Sequence, residues 1–492
     1  MWRKRTSFPA TTSRNVFSKL PKVNSFDVFD TLLARRVAHP ADIFDIVERS
    51  FPFKNYSKWR KQAEGIKGLS FDSIFAEFKN LSDCDDETAI ALREFEIRTE
   101  CENCYLIQSN YALVQDGDIL VSDTYMLDTE IRRLLESAGF KKDVTIFSSS
   151  SGKSKFSGQM YEHLLKSYII SCHTGDNQVS DIRMARTYGL TTRYTLCSYM
   201  NSTEAFFQKR EKYGFVQLLR EFRLQNPYIE HSYEYTLYED QASYNIPVLL
   251  LLSHLLFFIM QKESLTLLLC FTRDGCLLFE VFQRLFPDTS VKMLQSSRRM
   301  HYSANDEYKE YLKQMYIPGE TLLFDMNGSF TSGRSLYQEI FGHLPRVHIF
   351  TYCGSPEDTF DSLSYCAIAY KDYIERYNSD TVGTLINVEN GEFIRRDVEF
   401  EYSQKDAIIY RDCVLSFCNF MLEPRFADVL KTEIDPEHIA DFYEENKTRK
   451  PRILYHIPLE RVESDSMRII RQEEKMKRLE ELKKRRMTVF QL

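Results

Sequence analysis

Two acid-centred segments, about 150 residues apart, constrain this chain most: Ser25-Phe26-Asp27-Val28-Phe29-Asp30-Thr31-Leu32 and His173-Thr174-Gly175-Asp176-Asn177-Gln178-Val179-Ser180-Asp181. Each places a carboxylate at the end of a strand-like apolar stretch and follows it with a turn. In parallel α/β sheets, chemistry-bearing side chains collect beyond the carboxyl ends of the strands. The stretch between the two segments has the same character. Strands are predicted at 23–29, 118–122, 144–147, 169–173 and 192–194, with helices at 130–139, 161–167 and 182–189. Ser122 ends the second of these strands, and Lys155 stands in the turn after the third. Residues 20–200 should therefore form an α/β domain, interrupted by a mainly helical stretch at about 37–113.

The alternation recurs further on. Strands are predicted at 265–271, 291–294, 321–324 and 347–352, with helices at 276–286 and 335–341. They imply a second α/β domain over 244–380, after a polar, Tyr- and Glu-rich linker over 201–243. A mixed, then helical, region over 381–492 follows. The longest apolar run, 246–260, falls short of the roughly 18–20 residues of a membrane span and contains Ser253 and His254. It reads as a buried core helix, capped by Asn245 with Pro247 in its first turn.

Composition narrows the function classes. At 492 residues the chain suits two or three domains, and a net charge of -7 gives no support for a nucleic-acid binder as a whole. Eleven cysteines form no disulfide framework, and the basic start Met1-Trp2-Arg3-Lys4-Arg5 leads into no apolar core. A reducing, cytoplasmic setting is expected. Cys101-Glu102-Asn103-Cys104 has no second ligand pair for zinc and reads as two helix cysteines.

The residue types of the first site suit a phosphate. A carboxylate such as Asp27 can attack phosphorus, and hard oxygen ligands from Asp27, Asp176 and Asp181 suit Mg²⁺. Ser122 and Lys155 can hold phosphoryl oxygens and offset their charge. Together the segments around Asp27, Val121-Ser122-Asp123, Lys155-Phe156-Ser157-Gly158 and Gly175-Asp176-Asn177 with Ser180-Asp181 resemble the four motifs of the haloacid dehalogenase (HAD) superfamily of phosphohydrolases. The resemblance covers about 22–194. It implies a Rossmann-like domain whose helical stretch is a cap, Asp27, Ser122 and Lys155 as catalytic residues, and Mg²⁺ as cofactor. One position departs from it. Family phosphatases carry an acid two residues after the nucleophile, where this chain has Phe29, and an extended strand would point Asp30 elsewhere. A degenerate phosphate-binding domain is the alternative.

A second constellation lies in Leu323-Phe324-Asp325-Met326-Asn327-Gly328-Ser329-Phe330-Thr331-Ser332-Gly333-Arg334-Ser335-Leu336. It reads as strand, small-residue loop and helix. Thr331, Ser332, Gly333, Arg334 and Ser335 offer an anion nest, and Asp325 suits ribose hydroxyls. This resembles the 5-phosphoribosyl diphosphate (PRPP) loop of type I phosphoribosyltransferases, although Met326 replaces the second acid and the loop is about two residues longer. Arg273, Asp274 and Gly275 follow a strand where those enzymes keep a diphosphate loop, and Arg298 and Arg299 can fork onto phosphates. The plainer alternative is a set of surface turns with solvated arginines.

The two halves together resemble the two-domain ribofuranosyltransferases of bacterial capsule and O-antigen assembly. That resemblance implies 5-phosphoribosyl transfer from PRPP to a glycan, lipid-linked in such systems, followed by removal of the 5-phosphate. The alternatives are a phosphohydrolase with a non-catalytic second domain and a catalytically decayed scaffold. The charge-rich helix predicted at 467–487 reads either as a solvated face or as a weak contact with a partner helix or with an anionic membrane at its inner face.

Overall fold

The computed structural model describes residues 20–67, 70–272, 274–352, 365–366, 371–396, 401–449 and 452. The fold is mixed α/β with parallel sheets. It divides into two compact units: residues 1–200 with 224–229, and residues 201–223 with 230–492. The predicted C-terminal helix at 467–487 lies outside the described residues.

The strands of the first unit are β1 (Lys22–Phe26), β2 (Leu33–Arg35), β3 (Cys104–Leu106), β4 (Ile119–Ser122), β5 (Thr145–Ser148), β6 (Ile169–Gly175) and β7 (Thr192–Tyr194). Five form a parallel sheet in the order β5-β4-β1-β6-β7. The chain builds outward on one side of β1, then returns to the other, so the order reverses between β1 and β6. Such a switch point opens a crevice at the carboxyl edge. Alternate residues feed opposite faces of the sheet. Phe26, Leu120 and Ile146 pack with Ile131, Leu134 and Leu135, whereas Val23, Ile119, Val121 and Ile170 pack with Met160, Tyr161 and Leu164.

The helical stretch enters through β2 and leaves through β3, which pair antiparallel. Its helices are Asp42–Ser50, Tyr56–Lys67, Phe71–Ser82 and Asp86–Asn103. Ser70 and Asp85 cap the last two by accepting from Ser73 N and Thr88 N. Arg60 is completely buried in this bundle and grips Glu96 bidentately, both bonds at 2.9 Å. Its Nη2 also donates to Tyr125 Oη at 2.8 Å, in the segment after β4. The two cysteines expected within a helix are split: Cys101 lies in helix Asp86–Asn103, and Cys104 opens β3.

In the second unit β8 (Leu267–Phe271), β9 (Ser290–Leu294), β10 (Thr321–Gly328), β11 (Arg346–Tyr352) and β12 (Tyr365–Cys366) form a parallel sheet in the order β12-β11-β10-β8-β9. Here the order reverses between β8 and β10. A hairpin of β13 (Leu385–Glu389) and β14 (Glu392–Arg395) turns through Asn390-Gly391, both at positive φ as a tight two-residue turn requires.

Residues 201–243 are not a linker. They contain helices Ser202–Lys209 and Tyr213–Arg223 and the start of a helix that runs from Tyr233 to Glu263. Their polar residues misled the linker reading because they pair with one another inside the unit, as Arg223 does with Glu204 at 2.7 Å. The long helix, 31 residues, contains an 18-residue stretch apolar enough to cross a membrane, but 83% of that stretch is buried inside the protein. Asn245 does not cap it. The helix passes through a π turn at Gln241–Asn245, where Asn245 and Asn378 exchange amide hydrogen bonds at 3.0 and 2.9 Å.

Candidate functional site

β1 stops at Phe26, so Asp27 is the first residue beyond the strand, held by its N–H donating to Thr174 O at 2.8 Å. Asp176 stands in the same relation to β6. The next turn is π-helical, Gln178–Met184, and Asn177 Oδ1 caps it by accepting from Val179 N and Ser180 N. That wide turn swings Asp181 back over Gly175. A Cβ on Gly175 would lie 2.4 Å from the Asp181 carboxyl carbon, so only glycine admits the approach. Asp27, Asp176 and Asp181 thus bring one carboxylate oxygen each within 4.8 Å of one another. All three sit at the switch point.

Lys155 completes the group. It is fully buried, and its Nζ bonds Asp27 Oδ1 and, at 2.6 Å, Asp181 Oδ1. Asp123 places it by accepting from Lys155 N at 2.6 Å and Phe156 N at 2.9 Å. Ser122 is buried at the end of β4, on the same edge as Asp27. The five residues expected of the first site therefore share one edge of the sheet.

One ammonium among three carboxylates leaves negative charge in a largely buried site. Burial pushes Asp27 up to about 8, opposed by Lys155 and reinforced by Asp181 and Asp176. Burial, with Asp30 and Asp181 nearby, also raises Asp176 to about 6. Burial would lower Lys155, but its pairing with Asp27 and Asp181 prevails and raises it. Burial works against the Asp181 charge too, and Lys155 with His173 overcomes it, keeping Asp181 ionised. A hard divalent cation fits this donor set: three close oxygens, with excess negative charge to offset.

The Phe29 and Asp30 positions differ from expectation. The chain after Asp27 is a tight turn, not an extended strand, with Leu32 N and Leu33 N both donating to Val28 O and Asp30 at φ 59°. Phe29 is drawn under Arg35, whose guanidinium carbon sits 4.0 Å from the ring centre. Asp30 acts electrostatically on Asp176, and Thr31 Oγ1 reaches Asp176 Oδ1 at 3.5 Å. The extended-strand argument failed because the strand ends one residue before the acid.

In the second unit the small-residue loop is shorter than expected. The helix begins at Thr331 rather than Ser335, so Thr331, Ser332, Gly333, Arg334 and Ser335 form its first turn. Phe330, left-handed at φ 52°, makes the reversal in one step. Gly333 gives its ring space, since a Cβ there would meet that ring at 2.3 Å. The first-turn N–H groups suit an anion in either arrangement. Asp325 lies inside β10, and burial with Glu375 beside it pushes its carboxyl up to about 7. Arg298, exposed like Arg299, counters that rise through its charge. Gly275 packs the helix Cys276–Leu285 against the end of β8, where a Cβ would meet Phe271 O at 2.5 Å. Asp274 and Asp380 both act on Cys276. Arg273 lies outside the described residues.

Several site neighbours escaped the sequence reading. Glu375 accepts from Asn327 Nδ2 at 3.1 Å, supplied by a helix with no motif of its own. His301 bridges Ser296 Oγ at 2.9 Å and Ser332 Oγ at 3.2 Å, and burial with Arg298 pulls it down to about 4. Ser25 and His173 sit within the opening segments, yet only the strand register Ser25↔His173 reveals their pairing. No protein-family model and no curated protein matches the chain.

Proposed function

We propose that the chain is a two-step ribofuranosyltransferase: a phosphoribosyltransferase-like unit followed in action by a HAD-like phosphatase unit. The observation that carries it is the group of buried Asp27, Asp181 and Lys155 with half-buried Asp176 at the switch point of the first sheet. The second unit supports the first step through Asp325 and the Thr331 helix turn at the switch point of its own sheet.

In the first step an acceptor hydroxyl oxygen bonds C1 of the phosphoribosyl group as the bond from C1 to the diphosphate breaks, and the hydroxyl proton leaves to solvent. Asp325 would hold ribose hydroxyls, the Thr331–Ser335 turn the 5-phosphate, and Asp274 with Arg298 or Arg299 the departing diphosphate side. In the second step an Asp27 oxygen bonds phosphorus and the ribose 5-oxygen leaves, taking a proton. Water then cleaves the aspartyl phosphate and restores Asp27. Lys155 and Ser122 would hold the phosphoryl oxygens through both displacements. Mg²⁺, held by Asp27, Asp176 and Asp181, would neutralise charge between carboxylate and phosphate. With Phe29 in place of an acid, Asp30, which stands in the turn after Asp27 and acts on Asp176, would protonate the leaving oxygen. A lipid-linked glycan acceptor would place the reaction at the cytoplasmic face of a membrane.

The test is incubation with PRPP, Mg²⁺ and glycan acceptors, following diphosphate and phosphate separately. Wild type should release both, Asp27→Asn diphosphate alone, and Asp325→Ala neither. Phosphate release from ribose 5-phosphate that Asp325→Ala leaves intact, with no diphosphate from wild type, would reduce the function to a phosphohydrolase. Silence in every arm would leave a scaffold.

A further inference from the structure

His173 has no role in the chemistry above, yet it is completely buried directly behind the carboxylate triad. Its position follows from register, since β1 and β6 pair Ser25 with His173. Ser25 Oγ lies 2.7 Å from Nδ1, and Nε2 lies 3.3 Å from Asp181 Oδ1. A carboxylate only accepts, so Nε2 carries the proton and donates to Asp181, while Nδ1 accepts from the Ser25 hydroxyl. Tyr161 packs edge-on against the imidazole, with ring centres 5.4 Å apart. The ring therefore has one orientation and one tautomer.

The rest of the Asp181 carboxylate is also defined. Oδ1 takes Lys155 Nζ at 2.6 Å, and Oδ2 accepts from Asn177 N at 3.0 Å. Lys155 alone would leave Asp181 free to follow the lysine whenever Asp27 or a phosphoryl group draws that ammonium away. The Asn177 N–H still holds Oδ2, and on Oδ1 His173 is the contact that stays, because it is fixed to β1 through Ser25.

We infer that His173, locked by Ser25, is a positioning residue that aims the Asp181 carboxylate into the triad and so sets its affinity for a divalent cation. This rests on the metal-site reading of Asp27, Asp176 and Asp181. Groups that orient metal ligands from behind are typically worth about 10–100-fold in metal affinity.

The experiment is a Mn²⁺ titration of the full chain followed by electron paramagnetic resonance of free Mn²⁺. The proteins are wild type, Asp181→Asn, His173→Leu, His173→Gln and Ser25→Ala, each checked by circular dichroism and thermal unfolding. Wild type should bind one Mn²⁺ and Asp181→Asn should not. His173→Leu should weaken binding at least about tenfold at unchanged secondary structure. His173→Gln, which keeps a donor near the Nε2 position, should recover most of it. A structural role alone predicts a lower unfolding temperature without selective loss of Mn²⁺. Equal affinity in wild type and His173→Leu would overturn the inference while leaving the metal site intact. Should His173→Leu fail to fold, Ser25→Ala decides: unimpaired binding overturns the inference, weakened binding supports it. A wild type that binds no Mn²⁺ removes the metal site itself, and the inference with it.

Discussion

Single residues decide the chemistry of this chain through where the backbone stops. Asp27 and Asp176 matter because β1 and β6 end at Phe26 and Gly175. Gly175 shows how little room there is. Gly175→Ala would force the Asp181 carboxyl aside, at a cost of about 1–3 kcal/mol from overpacking. Urea unfolding should record that loss and Mn²⁺ titration a weakened site; unaltered Mn²⁺ affinity would contradict the close approach. A second residue-scale effect lies in the other unit. Burial holds His254 neutral, pulling it down from 6.5 to about 4, between the rings of Phe286 and Phe215. The unfolded chain takes up this proton near pH 6.5 and the folded one only near pH 4. Stability contributed by the neutral ring is therefore full above about 6.5 and falls as pH drops toward 4, by an amount on the order of 3 kcal/mol. His254→Leu should flatten that limb in unfolding curves between pH 7 and 4.5. An equally steep limb would show that other groups govern it.

At the scale of elements, a buried arginine links the helical insertion to the segment after β4. Arg60 holds Glu96 within the bundle and Tyr125 after β4. Four aromatic rings, of Phe44, Phe71, Phe75 and Tyr125, lie within 4.5 to 5.6 Å of its guanidinium carbon. Removing one partner strands the other in a dry interior, so Glu96→Ala should cost about 3–5 kcal/mol. Replacing both with apolar residues should cost much less, because no charge is left unpaired. A double-mutant cycle by urea unfolding measures the difference, and additive effects would refute the coupling. Elements also explain where sequence periodicity misled. The polar stretch at 201–243 reads as a linker because charged residues are usually solvated, yet Glu204, Arg223 and Glu239 are buried together. The helix after β10 begins four residues early because Phe330 accepts a left-handed conformation that a sequence pattern assigns to glycine.

At the scale of the molecule, each unit has a parallel sheet with one reversal of strand order, and each gathers its candidate residues at that reversal. Hydrogen exchange can locate both. Mg²⁺ should slow exchange around residues 26–33, 122–125, 155–157 and 174–181, and PRPP with Mg²⁺ should slow it at 325–335. Protection by PRPP confined to the first unit would remove the donor site from the second.

Much of the first site is legible in the amino-acid sequence. Acids at strand ends, a serine after the second strand and a lysine in the following turn depend on local pattern, and local pattern is what a sequence carries. The α/β alternation is legible for the same reason: apolar runs and turns repeat at short range. What only tertiary structure decided is what depends on register and on contacts between distant segments. His173 meets Ser25 across 148 residues because two strands pair in parallel. Glu375 meets Asn327 across 48 residues because a motif-free helix packs at the end of β10. Lys155 reaches Asp27 and Asp181 because three separate loops converge on one sheet edge. Sequence alone named the acids; the crossing of the chain through the sheet determined which groups surround them, and hence their charge.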